Sequence, residues 1–269
     1  MMRIPYLPGE PFVMNCASEQ AVGLVSWWPT LGSLGALHLR DYAGINGGVG
    51  TGISSWQPDQ ELVFSPVYDG TSSRFDCGAS EPFRNLSAAT FVAWVRWGGA
   101  VNGMTGSARD IIRLDGAFAF GGGWTSGKVR LWTWDTSGAL VAGPDSTSRI
   151  DDKNVHLVCA VIDGLTNSIY VDGKLEASSA YTGGIDASTN HLFISSNGGN
   201  SEWWNGLIGD CRIYRRALSQ SEIRNIYAPE TRWDLYEPIQ TKRYFLPMDR
   251  KIKFTYVNLD GMGQRGFLV

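Results

Sequence analysis

Residues Gly122–Lys128 fit the string G-x-x-x-x-G-K, whose backbone amides can cradle a phosphate. The next residue is Val129, where a Ser or Thr hydroxyl would hold Mg²⁺, and Lys-Val-Arg-Leu-Trp then reads as a strand. With no helix N-terminus to face an anion, the string reads as a glycine-rich β-turn. Glycoside hydrolysis needs two rigidly held carboxyls. No Glu-x-Asp-x-x-Glu string occurs to supply them, and Asp234 and Glu237 fall in a proline-rich stretch that holds neither in place. His38, His156 and His191 are far apart in sequence, and His156 lies in an apolar strand, so no nucleophile–base pair emerges. The chain is expected to be no enzyme and to need no cofactor. Cys16, Cys77, Cys159 and Cys211 contain no C-x-x-C pair and offer no zinc site, and Cys159 and Cys211 read as buried thiols acting as small hydrophobes.

Tryptophans carry the remaining chemistry. Trp124, Trp203 and Trp204, with Asn197 and Asn200, form a candidate carbohydrate site, in which indoles stack on sugar rings and amides bond hydroxyls. Asn205 could supply a further hydrogen bond, and Trp203 and Trp204 lie in a Gly/Asn/Ser-rich loop where a sugar platform and a core position both remain open. Trp132 and Trp134 could stack on sugars too. They share one strand face, since side chains repeat every second residue, and that face reads as core, the usual fate of such a pair in a sandwich.

Short strands and turns must position these groups. With 269 residues, 43% hydrophobic, the chain can bury a full core, and 33 glycines with 11 prolines point to turns rather than long helices. A net charge of −3 argues against a nucleic-acid partner held through phosphates, and no apolar run is long enough to span a bilayer. In Thr90–Trp97, Phe91, Ala93, Val95 and Trp97 share one face and Val92 and Trp94 the other, which predicts a strand covered on both sides. Val155–Ile162 repeats that pattern. Asp172-Gly173 between two strand-like pieces predicts a type I′ hairpin, and further strands are expected at His191–Ser195 and Leu207–Tyr214. Ser219-Gln-Ser-Glu222 is a capping box, and Ile223, Ile226 and Tyr227 then form the apolar stripe of a short helix that Pro229 ends.

Several segments, in order, resemble the concanavalin-A-like laminin-G-type domains. They are Gly23–Trp28, Leu39–Gly48, Val67–Gly70 with Arg74–Gly78, Phe91–Trp97, Val155–Val158, Tyr170–Lys174, Asn205–Ile208 and Arg212–Ser219. The resemblance covers roughly Gly23 to Tyr227 and implies an all-β, two-sheet antiparallel jelly-roll sandwich, here with one short C-terminal helix and extended terminal arms. The expected domains are an N-terminal arm at 1–22, the sandwich at 23–228 and a C-terminal extension at 229–269. Some relatives carry calcium. Asp41 stands in a suitable turn, but the first acidic position of their C-terminal acidic stretch is Gly209 here, with Asp210 next, so no metal is expected.

The string Tyr227-Ala-Pro…Trp233…Pro238…Arg243-Tyr-Phe245 resembles the tails that follow such domains in structural proteins of tailed bacteriophages. The expectation is therefore a non-enzymatic virion structural protein, a head or tail decoration or accessory protein, oligomeric in the particle and attached through its extensions. A carbohydrate-binding lectin module, which could serve the same particle, is the alternative, and a secreted adhesin domain a third reading. The assembly contacts would be Trp233, Tyr236, Tyr244, Phe245, Ile252, Phe254 and Tyr256, with the alternating segment Lys251–Leu259 adding a strand to a neighbour. The partners would be other virion proteins and, in the lectin reading, a glycan, with neither nucleic acid nor membrane. Met1–Pro8 lacks the apolar stretch of a signal peptide, so synthesis in the host cytoplasm is expected.

Overall fold

Alternating apolar and polar residues between glycine-rich turns give strands with one buried face each, and two such faces bury each other. The computed structural model describes residues 12–30, 37–59, 62–79, 83, 86–105, 108–123 and 127–239. The strands are β1 (Phe12–Met14), β2 (Leu24–Trp28), β3 (His38–Leu39), β4 (Gly48–Thr51), β5 (Trp56–Asp59), β6 (Val63–Asp69), β7 (Arg74–Asp76), β8 (Ala89–Trp97) and β9 (Arg109–Leu114). They continue with β10 (Phe118–Gly122), β11 (Lys128–Trp134), β12 (Leu140–Arg149), β13 (Val155–Ile162), β14 (Thr166–Val171), β15 (Lys174–Ala180), β16 (Leu192–Ile194), β17 (Asn205–Tyr214) and β18 (Tyr236–Pro238). The helix α1 spans Gln220–Tyr227.

One eight-stranded sheet runs β12-β11-β10-β9-β16-β7-β4-β3, and the second runs β15-β14-β13-β8-β17-β6-β5 with β2 also paired to β17. All named pairings are antiparallel, which makes the fold the expected sandwich. Phe91, Val95, Val158 and Ile213 from the second sheet meet Phe118, Phe120, Leu131 and Ile112 from the first in one core. The rings of Phe91 and Phe118 lie 4.2 Å apart across that interface.

The covered strand β8 divides as its sequence requires. Phe91, Ala93, Val95 and Trp97 enter the core between the sheets, while Val92 and Trp94 face outward into a second cluster with Leu157, Cys159, Ile223 and Ile226. That cluster is the floor under α1. The capping box of Ser219 and Glu222 is formed, and Ala228 ends the helix just before Pro229. Asp172 and Gly173 both take positive φ, 51° and 75°, in the hairpin between β14 and β15. Cys77, Cys159 and Cys211 are buried free thiols, and Cys16 is exposed.

The ends of the described body depart from the expected boundaries. β1 pairs with β18, Asn15 N–H donates to Leu235 O at 2.8 Å, and Phe12, Trp27, Leu235 and Tyr236 form a third core cluster. Residues 12–22 and 229–239 thus belong to the same compact unit as the sandwich, which reaches Ile239. Tyr236, expected as an assembly contact, is a correction: at 4% exposure its ring completes its own chain's core, stacked edge-on against Trp27. Trp233 is half-buried on the same cluster. Residues 240–269, with Tyr244, Phe245, Ile252, Phe254, Tyr256 and the expected strand at 251–259, lie outside the described residues. No helix among the described residues is long and apolar enough to cross a membrane.

Candidate functional site

The face of β11 is decided by alternation. Val129, Leu131 and Thr133 are buried toward the core, so Lys128, Arg130, Trp132 and Trp134 point outward and are half-buried. The core position expected for Trp132 and Trp134 is therefore corrected: the two charged residues on their face cannot enter an apolar interior unpaired. Two residues of strand separate the indoles by about 7 Å.

Register sets what surrounds them. Trp132 lies opposite Ala119 on β10, Ala119 opposite Arg113 on β9, Arg113 opposite Phe193 on β16, and Phe193 opposite Asp76 on β7. Arg130 lies opposite Gly121 and Asp145. Gly121 has no room for a side chain, since a Cβ there would stand 2.2 Å from Arg109 O. The small residues Ala119 and Gly121 leave long neighbours to lie flat across β10. The Arg113 guanidinium reaches over Trp134, 5.4 Å from the ring centre, and Arg130 lies over Trp132 at 5.1 Å.

Carboxylates hold both guanidiniums. Arg130 grips Asp145 through Nε at 2.8 Å and Nη2 at 2.6 Å, a bidentate pair. Arg113 donates Nη1 to Asp110 at 3.2 Å and to Glu202 at 2.6 Å, and Nη2 to Asp115 at 2.9 Å. Burial pushes the Asp110 carboxyl up; Arg113 pulls it down, but Glu202 adds to the rise. The result is a platform of partly exposed rings held by arginines rather than a pocket. The clefts elsewhere, beside Asp210 and beside Glu222, have a volume of about 10 Å³ each, room for about a single water.

The loop expected to carry the sugar site borders this platform through Glu202, whose φ is 61°. Asn197 and Asn200 close a tight turn in which Asn197 N–H donates to Ser201 O and Asn200 N–H to Asn197 O, both at 2.9 Å. Asn197 is half-buried and Asn200 exposed. Trp203 is half-buried, its indole N–H enclosed without an acceptor among the described residues. Trp204 is a correction: it is fully buried, packed edge-on against Trp97 at 5.5 Å in the core, and offers no ring to a sugar. Trp124 lies outside the described residues.

Other groups singled out by sequence are committed elsewhere. The Gly122–Lys128 string connects antiparallel strands β10 and β11 and leads into no helix. Asp41 accepts hydrogen bonds from Ser26 Oγ and from the backbone of Trp27, Ala43, Gly44 and Asn46, which occupies both its oxygens. Asp210 is gripped by Arg212 at 2.9 and 2.7 Å and by the Trp27 indole at 2.8 Å. Burial opposes its charge, but Arg212 holds the carboxyl below its usual range. Among the described residues no group of three or more His, Cys, Asp or Glu side chains could hold a metal ion. His156 sits between Asp172 at 2.9 Å and Asp152 at 3.0 Å, and His191 Nδ1 meets Asp76 at 2.8 Å.

A family model described as the concanavalin A-like lectin/glucanases superfamily matches residues 69–224. The fold is similar to the binding domain of Paraclostridial Mosquitocidal Protein 1, with a TM-score of 0.62 and 14% identity over 78% of this chain and 52% of that one. It is similar to domain 4 of AbnA, a GH43 extracellular arabinanase from Geobacillus stearothermophilus solved in complex with arabinotriose, at TM-score 0.58 and 18% identity over 76% of this chain and 98% of that domain. The receptor binding domain of botulinum neurotoxin D matches at TM-score 0.56 and 12% identity, over 78% of this chain and 53% of that one. The chain thus spans about half the length of the two toxin domains. At these identities the likeness is one of fold. No curated protein matches the chain.

Proposed function

Since the chain belongs to the concanavalin A-like lectin/glucanases superfamily, we propose that it is a non-enzymatic carbohydrate-binding module whose sugar stacks on Trp132 and Trp134. The observation that carries this reading is the pair of half-buried indoles on one outward strand face, each fixed by an arginine that a carboxylate holds. Rings fixed before binding lose little entropy on contact, so each stacked sugar contributes on the order of 1 kcal/mol. The turn at Asn197 and Asn200, joined to the platform by Glu202, adds polar groups at its border. The arabinanase domain, which was solved with arabinotriose and is covered almost whole, supports the reading.

A glycan array probed with the full chain tests it. Binding should weaken at least tenfold when Trp132 and Trp134 are both changed to Ala, and an array without ligand removes the reading. A finer proposal places the module on a tailed-phage particle, supported by the tail string from Tyr227 to Phe245 alone. Mass spectrometry of purified particles tests that placement.

A further inference from the structure

We propose that the platform takes neutral glycans and excludes sialylated and uronic ones, an inference that rests on the sugar-binding reading above. Two guanidiniums stand beside the indoles, and each is already paired with carboxylates. Arg130 gives Nε and Nη2 to Asp145 at 2.8 and 2.6 Å. Arg113 is shared among Asp110, Asp115 and Glu202. Two positive groups therefore face four carboxyls around the rings, so the local field repels an anion even if Asp110 keeps its proton.

The same carboxylates suit hydroxyls. An ionised carboxylate offers about four acceptor sites, and the arginine contacts leave some of them vacant. The side chains of Asp115 and Asp145 are 46% and 32% exposed, so a sugar stacked on Trp134 or Trp132 can reach them with O–H donors. Among the described residues, the other positive groups on this face lie farther off or are themselves paired, as Arg149, opposite Lys128, is with Asp151 at 2.9 and 2.6 Å. Lys128 stands four residues along the strand from Trp132, about 13 Å away, and Arg74 is turned to Ser72 O beneath the Gly199 turn. His191 is held by Asp76.

The test uses the full chain on an array in which each neutral glycan stands beside its sialylated or uronic counterpart with the same core. Neutral members should bind at least tenfold more tightly at low ionic strength, with the gap narrowing as salt screens the field. Asp145→Asn, which releases Arg130, should raise binding of the acidic members at least threefold. Asp115→Asn, at the more exposed carboxylate, reads the same effect should the first variant fold poorly. Acidic members that bind as well as neutral ones, with loss in the Trp132→Ala/Trp134→Ala variant, leave the platform standing and overturn its neutral preference. A gap that neither Asp variant narrows also overturns it, and binding of neither class overturns the sugar-binding reading together with this one.

Discussion

Both sheets turn a tryptophan outward and lay an arginine on it. On the second sheet Trp94 lies under Arg232 at 3.6 Å and stacks with Tyr227 at 5.8 Å, and it is 2% exposed because α1 and the segment after it cover the face. On the first sheet Trp134 lies under Arg113 at 5.4 Å, and Trp132 under Arg130, and both remain half-buried. The same pair of residue types thus serves two purposes. Where a helix closes over it, the pair joins the core; on the first sheet no helix among the described residues closes over it, and the rings stay partly exposed. What separates the two faces is their neighbours: Val92, Leu157 and Cys159 around Trp94, against Arg113, Arg130 and their carboxylates around Trp132 and Trp134.

The largest expected effects fall on the covered face. Arg212 is wholly buried there, paired to Asp210 and donating to Gln20 Oε1 at 2.6 Å. Arg212→Ala takes from buried Asp210 the guanidinium that grips it and should cost about 3–5 kcal/mol. Trp94→Ala opens a cavity under α1 and should cost a similar 3–5 kcal/mol. Urea denaturation measures both. A loss below about 1 kcal/mol in either variant would mean that the helix and its flanks do not seal this face.

The covered face was legible from sequence because its signals are local and agree. Phe91 to Trp97 alternates so that both faces are apolar, which demands cover on each side, and the capping box with Ile223 and Ile226 supplies the cover. The open face was misread. Trp132 and Trp134 read as core on residue type alone, although Lys128 and Arg130 at the same spacing already marked that face as outward. Trp203 and Trp204 lie in a loop, where no alternation tells which of the two enters the core. The partners that hold the platform, Glu202 and Asp145, come from other strands or loops, 89 and 15 residues away from the arginines they bind. Such contacts depend on register, which alternation within one strand cannot supply. Tyr236 was misplaced for a similar reason: its ring is buried by Trp27, across the whole length of the sandwich in sequence.

An intermediate effect is expected at the rim where the chain passes from β12 in one sheet to β13 in the other. His156 is enclosed there between Asp152 and Asp172. Burial disfavours its charged form, but hydrogen bonds to Asp172 and then Asp152 overcome this and raise its pKa to about 9. A histidine held charged in the fold and titrating near 6.5 when unfolded adds stability that is fully present below about pH 6.5 and lost as pH rises through about 9. The loss should be on the order of 2–3 kcal/mol. Melting temperature should therefore fall between pH 6.5 and 9.5, and His156→Gln should flatten that fall. An equal slope in the variant would place the pH dependence elsewhere.

The smallest stability effect is expected on the open face. Trp134→Ala removes one ring that is already partly in water, together with a cation–π contact worth about 0.5–1 kcal/mol at an exposed site. Ala117 and Ala119 beneath it are small and lie within the sheet, so no cavity of Trp94's kind is left. Arg113 loses its stacking partner but keeps three carboxylates, and none of its charge is stranded. The variant should lose about 1 kcal/mol, several-fold less than Trp94→Ala, while losing most of the sugar binding proposed for the face. The two variants, melted side by side, read the comparison directly. If Trp134→Ala proves as costly as Trp94→Ala, the ring is a core residue of a face that something else covers, and the platform is no platform.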